Sequence, residues 1–334
     1  MYNAGNGTII FDKKPSVLSF SAVVGKKEGA GPYGKYFDQV EEDAHFGQET
    51  WEKAESENLR RSIDLTLQKG GFKAEDIDFS ISGDLLNQCT SSGYALRSLG
   101  IPFLGVYGAC STMAESMLLG SLIINGGGAK RVLCSTSSNF CSAERQFRMP
   151  LEYGGQRTPS AQWTVTGSGS VVLGNGGAGP FIDSVSCGKI VDMGIKDAAN
   201  MGAAMAPAFT DTVKKHFEAT GRDFSYYDLV VSGDLGIVGM DIANDLFSRD
   251  GIKTLGKYND CGAMIFDKET QDTHAGGSGC GCSASMLCGY ILPEMKKGNL
   301  RHVLFAATGA LMSPTFTMQG ESIPSISHAI SLEA

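Results

Sequence analysis

No apolar stretch of this 334-residue chain approaches the roughly 20 residues that a bilayer-spanning helix needs, because glycine interrupts the longest ones. No run of Lys or Arg is present, and a formal net charge of −8 argues against nucleic acid as an electrostatic partner. The first twenty residues carry Asp12, Lys13 and Lys14 and no sustained apolar core, so no secretory signal is expected. There is no paired C-x-x-C. Cys280-Gly281-Cys282 with Cys288 has no second cluster to complete it, and no zinc or other metal site is expected. The nine cysteines are an odd number without framework spacing, which suits a reducing compartment and not a disulfide scaffold. A soluble protein is expected, one that could still dock on a membrane protein.

The chain is 42% hydrophobic, enough for a substantial core, and its 44 glycines imply many tight turns. Its length suggests about two domains. The stretch around which the rest is organised runs from Gly105 to Ser116. An apolar strand (Pro102 to Tyr107) meets a Gly-Ala turn, and the residues after Cys110 read as a helix apolar on nearly every side, with Met113, Ala114, Met117, Leu118, Leu119, Leu122 and Ile123. Cys110 therefore belongs at a helix N-terminus, where unpaired N–H groups and the macrodipole favour a thiolate and a lowered thiol pKa is expected. The other cysteines are taken as small buried hydrophobes.

Three segments recur in order. Asp78-Phe79-Ser80-Ile81-Ser82-Gly83-Asp84-Leu85 matches Asp228-Leu229-Val230-Val231-Ser232-Gly233-Asp234-Leu235, Ser116-Met117-Leu118-Leu119-Gly120 matches Ser285-Met286-Leu287-Cys288-Gly289, and Arg131-Val132-Leu133 matches His302-Val303-Leu304. The chain reads as a duplicated α/β unit, with halves at 1–176 and 177–334, each a mainly parallel sheet covered by helices. The helices after Cys110 and Cys282 would lie back to back between the sheets in a five-layer α-β-α-β-α arrangement. Cys110 and the Thr273-His274-Ala275-Gly276-Gly277 loop would meet in a crevice at the centre. Residues 139–164 show little periodicity and read as a long irregular loop over that crevice.

Gly108-Ala109-Cys110-Ser111, the Gly-rich strand entry Thr166 to Leu173 and the duplication together resemble the thiolase superfamily, in its ketoacyl-synthase III-like branch. Ser82 to Gln88, Glu144 to Trp163, Thr273 to Ser283 and Gln319 to Pro324 resemble, more closely, a sporulation branch of that superfamily. The resemblance implies a thiolase-like fold and a homodimer. It also implies a protein that binds pyridine-2,6-dicarboxylate (dipicolinic acid) for uptake into the developing spore, beside other proteins of the same sporulation membrane system and peripheral to the forespore or spore inner membrane. No resident cofactor is implied, and calcium enters only as a counter-ion of the ligand.

Acyl condensation in this superfamily needs polar partners for the thiol. The ketoacyl-synthase branch places a His after the strand that here is Leu229 to Ser232, where this chain has Asp234-Leu235-Gly236, and the thiolase-type Gly-His-Pro is absent near Cys282. His274 is the one active-site His expected; His328, in a terminal strand pattern, reads as structural. The expectation is therefore a non-catalytic binding protein, with acyl transfer through Cys110 as the alternative. A dicarboxylate calls for forked donors, which Arg145, Arg148 and Arg157 supply, while Cys110 at its helix end and His274 hold the other side. The pyridine ring wants an aromatic wall, for which Trp163, Phe147 and Tyr153 are the candidates.

Overall fold

The computed structural model describes residues 1–147 and 157–334. A hairpin of β1 (Tyr2–Gly5) and β2 (Thr8–Ile10) precedes β3 (Ser16–Gly25), which is buried at every position but Leu18. The next stretch holds α1 (Lys26–Gly29) and β4 (Gln39–Glu41), the latter paired with β3. Helix α2 (Trp51–Gly70) starts where the Thr50 hydroxyl accepts from the Lys53 N–H and stops at Gly71, which takes the left-handed φ of 66° that glycine tolerates. Its Ala54, Leu59, Ile63 and Leu67 face the core. Then follow β5 (Phe79–Gly83), α3 (Thr90–Leu96), β6 (Phe103–Gly105), α4 (Thr112–Asn125) and β7 (Arg131–Ser138). The expected irregular stretch opens instead with a helix, α5 (Phe140–Phe147), and ends in β8 (Trp163–Thr164), before β9 (Gly167–Gly174).

The second half repeats this plan. Strand β10 (Phe181–Cys187) leads to α6 (Met201–Thr220), capped by Asn200 and ended at Gly221 with φ 67°, as α2 ends at Gly71. After these come β11 (Leu229–Ser232), α7 (Gly236–Arg249), β12 (Tyr258–Asp260), α8 (Cys261–Ile265) and β13 (Gly277–Ser278). Helix α9 (Cys280–Met286) runs through a π turn at Leu287–Ile291 into α10 (Leu292–Lys296), and β14 (His302–Ala310), α11 (Pro314–Met318) and β15 (Ser325–Glu333) complete the chain.

Strand order is β6-β5-β7-β9-β3 in one half and β12-β11-β14-β15-β10 in the other, the same order counted within each half. The two sections touch at one pair, Phe181 with Ser16. In both halves the outer three strands are parallel and the inner two pairings antiparallel. This corrects the expectation of mainly parallel sheets: the last strand of each half re-enters the sheet without a crossover to its far end, and a strand that does so must run antiparallel.

The matched segments do matched work. Asp78 accepts from the Lys130 and Arg131 N–H groups at 2.7 and 2.9 Å, and Asp228 from Arg301 and His302 at 2.7 and 3.0 Å, each carboxylate tying β5 or β11 to the start of the neighbouring strand. Helix α4, apolar all round, lies between the sheets, against β5, β7 and β9 on one side and β10, β14 and β15 on the other, with α9 beside it. Helices α2 and α6 cover the outer faces, giving the five layers.

Candidate functional site

The turn that presents Cys110 is built by short side chains. The hydroxyl of Ser111 donates to the Gly108 carbonyl at 2.7 Å, and Thr112 Oγ1 donates to the Ala109 carbonyl at 2.6 Å. These bonds hold Ala109 at φ 49°, a left-handed conformation that a residue with a β-carbon seldom adopts. Strand β14 of the second half then presses on the turn at Gly309. A β-carbon there would fall 2.0 Å from the Gly108 carbonyl oxygen and 3.0 Å from the Cys110 nitrogen, so only glycine permits the approach.

The thiol does not become the lowered-pKa nucleophile expected of a helix N-terminus. Burial pushes its pKa well up, and the Asp234 carboxyl and Cys280 beside it push it further the same way. Desolvation of a nearly enclosed thiolate outweighs the modest helix-end effect. Asp234 follows β11, where the ketoacyl-synthase resemblance would put a His. Its Oδ2 accepts from the Gly279 N–H at 2.7 Å and from the Ser278 hydroxyl at 3.3 Å, while its Oδ1 is buried with no hydrogen-bond partner among the described residues. Burial raises Asp234 to about 7, against the Cys110 and Gly279 contacts that favour its charged form. Asp260 shapes the turn beneath it, accepting from the N–H groups of Leu235, Gly236 and Ala263 at 2.8, 2.9 and 2.9 Å. Asp260 is itself pushed up to about 6 by burial.

Above Cys110 lies a narrow crevice with about 40 Å³ of room, enough for a few waters as it stands. Its floor is Cys110 and Ser278; Tyr107, Phe147, Met201 and Met312 form apolar walls, and Glu144 of α5 adds a carboxyl. Among the described residues lining it none is Lys, Arg or His.

The residues singled out from the sequence divide between two places. Strand β8 pairs in parallel with β13, Trp163 opposite Gly277 and Thr164 opposite Ser278. Alternation along the strand turns Thr164 into the crevice and Trp163 away from it. Behind the ladder, Trp163 stacks on Phe140 at 3.7 Å, with Lys27 Nζ 3.8 Å and the Arg157 guanidinium 4.8 Å from its ring centre. Arg157 donates to the Asp272 carbonyl at 2.8 Å. His274 reaches the Asp272 carboxylate through Nε2 at 2.9 Å and the Thr158 carbonyl through Nδ1 at 2.8 Å. Arg157, Trp163 and His274 thus gather around Asp272, joined by Lys27, whose pKa falls through burial and the neighbouring Arg157. The expected meeting of His274 with Cys110 is made instead by Ser278 and Gly279 of the same segment. Arg145 points from α5 to Glu52 of α2, 3.4 Å away. Arg148 and Tyr153 lie outside the described residues.

Two residues of consequence went unnamed as site groups in the sequence: Asp234 and Lys27. The duplicated Ser-Gly-Asp-Leu was the available signal for Asp234, since Asp84 in the first copy spends both carboxyl oxygens on Leu86 and Ser92, leaving the second copy free to differ. Nothing in the spacing marks Lys27. His328 is buried in β15 and held near 4 by burial, as a structural histidine would be. Among the described residues no group of three His, Cys, Asp or Glu is arranged to hold a metal ion, and no helix is long and apolar enough to cross a membrane.

Comparison with known proteins gives a consistent result. A profile of the family "Stage V sporulation protein AD (SpoVAD)" matches residues 5–333. The stage V sporulation protein AD of Bacillus subtilis (strain 168) is 43% identical over 329 residues, 98% of this chain and 97% of that protein. Among solved structures, 3-oxoacyl-[acyl-carrier-protein] synthase III of Aquifex aeolicus VF5 superimposes with a TM-score of 0.59 at 12% identity, covering 96% of this chain and 100% of that one. Cerulenin-bound OleA of Xanthomonas campestris gives 0.57 at 12% identity over 98% of each chain. At that identity the likeness is one of fold, and the fold is thiolase-like.

Proposed function

The chain belongs to the stage V sporulation protein AD family, and from that premise we propose that it binds dipicolinic acid without transforming it and supports the acid's uptake into the developing spore. The observation that carries the non-catalytic part is the carboxyl of Asp234 against Cys110. Thioester chemistry needs a thiolate and a base to make it, and here burial and a neighbouring acid both favour the protonated thiol. What remains is a slot with a polar floor and apolar walls, suited to one edge of a flat aromatic acid. Its room is small, so entry involves Phe147, Met201 and Met312 turning aside, movements that the unbranched methionines make at little cost. The basic cluster of Lys27, Arg157 and His274 behind the ladder supports a role in drawing the second carboxylate to the mouth, with Arg148 on the segment that joins Phe147 to Arg157.

The protein acts, in this proposal, at the forespore inner membrane beside other proteins of the same system, and as a homodimer. Strand β6 supports the dimer: it closes the first half's sheet with Phe103 and Leu104 40% and 45% exposed, whereas its counterpart β12 is half-buried to buried.

Titration calorimetry with dipicolinate, with and without calcium as its counter-ion, tests the reading. A saturable heat is expected, weakened several-fold by Arg157→Ala and unchanged by Lys35→Ala; no heat at millimolar ligand in either condition rejects it. One observation keeps acyl transfer as a second reading, the retention of a thiol at the N-terminal turn of α4. Intact mass after incubation with acyl-coenzyme A decides between the two, since a stable adduct lost in Cys110→Ser would restore the enzyme.

A further inference from the structure

The crevice is acidic where an anion is meant to go, and this conflict has a specific resolution. Among the described residues, the groups beside Asp234 come from several elements. They are Cys110 from the turn before α4, Ser278 and Cys280 from the β13–α9 junction, Cys282 from α9, Cys261 from α8 and Asp260 from the end of β12, with Gln162 donating to the Asp234 carbonyl at 2.6 Å. All are acids, thiols, a hydroxyl or an amide, and none is a cation. Asp234 is fully buried, and its Oδ1 has no hydrogen-bond partner among the described residues, although Oδ2 has two. A buried carboxylate oxygen without a donor is costly, and a second carboxylate brought onto the Cys110–Ser278 floor would share the same poorly solvated space. Two like charges so placed do not both stay ionised.

We propose that the crevice takes its carboxylate ligand together with one proton, held on Asp234, so that this residue makes ligand capture depend on pH. The proposal rests on the reading that a carboxylate occupies this crevice. The proton sits on Oδ1, which has no hydrogen-bond partner among the described residues, and is gained from solvent as the ligand enters; release of the ligand returns it. Asp234 acts through Cys110 and Ser278 as a positioning and charge-balancing residue. Its raised pKa in the ligand-free protein, about 7, means that the proton is already half in place near neutrality.

The sign follows from linkage: a site that gains a proton on binding weakens as pH rises. With the ligand-free value near 7, dipicolinate affinity is expected to fall about tenfold between pH 6 and pH 8, a window in which the ligand's own carboxyls stay ionised. Calorimetry in buffers of different ionisation enthalpy counts the protons taken up, and close to one per ligand is expected at pH 8. Asp234→Asn, which keeps the shape and offers N–H donors, is expected to bind with no proton uptake and a flat pH profile. Glu144→Gln removes the other carboxyl that lines the crevice among the described residues and is expected to leave the profile steep. Binding that is independent of pH, or that shows no proton uptake in the unaltered protein, overturns the inference while leaving the ligand reading intact. It is overturned equally if Glu144→Gln, and not Asp234→Asn, flattens the profile, or if calcium is strictly required and no proton is taken up. Absence of binding at every pH overturns both.

Discussion

Buried carboxyls set how single residues of this protein answer to pH. Glu28 is enclosed beside β9, its Oε1 accepting from the Thr166 N–H at 2.9 Å, and burial raises it from 4.5 to about 7. Between those values the folded protein holds a proton that the unfolded chain has released, so stability falls as pH rises through the window and the loss is complete above it. A shift of that size corresponds to roughly 3 kcal/mol. Glu28→Gln, which still accepts from Thr166, is therefore expected to melt a few degrees above the unaltered protein at pH 8 and no higher than it at pH 5, as scanning calorimetry would show. Equal differences at both pH values would mean that Glu28 is not protonated in the fold. His216 and His328, both lowered to about 4 by burial, work the other way: they favour the fold above their unfolded value and lose that contribution as pH falls toward 4. At this scale the sequence placed Cys110 at the start of a helix and mistook the state of its thiol. A helix N-terminus is visible in a string of residues, but the desolvation that overrules it depends on chain brought up from the other half, around Asp234 and Cys280.

Among elements, the contact of β14 with the Cys110 turn is the most exacting. Gly309→Ala would set a methyl 2.0 Å from a backbone oxygen, a collision that no rotamer relieves. The substitution is expected to lower stability by about 2–3 kcal/mol, read from denaturant midpoints, and to displace the Cys110 turn, read as faster alkylation of Cys110. An unaltered midpoint would show that β14 does not press there. Helix α2 was legible because its caps and periodicity agree over many residues, and α4 because its apolar run continues on every side for fourteen residues. Helix α5 was not: its eight residues rely on the Asn139 side chain, which accepts from the Cys141 N–H at 2.9 Å, and on Ser142 donating to the buried Glu55 of α2. The side on which His274 falls was equally illegible, because it is set by the pairing of β8 with β13, two strands of two residues each.

In the whole molecule, the duplication was plain in the sequence, since Asp78 and Asp228 tie equivalent strands and cannot drift apart without loosening both sheets. Strand direction was not, because apolar runs look alike in either orientation. Equivalent halves with unequal edges lead to a prediction for assembly. If β6 pairs with β6 of a second copy, Phe103→Pro removes an N–H from the open edge and leaves the ladder to β5, which runs through Leu104 and Val106, in place, and sedimentation is expected to shift from dimer to monomer. The same change that left a dimer intact would place the interface elsewhere. Tyr107, 42% exposed and also a wall of the crevice, lies next to that edge, so the monomer is expected to bind dipicolinate several-fold more weakly. A different consequence comes from the opening hairpin, whose Thr8, Ile9 and Ile10 pair with Ser186, Val185 and Ser184 of β10. That hairpin closes on itself early but has no sheet to lie against until β10 of the second half is in place, so its docking waits on a contact made across both halves.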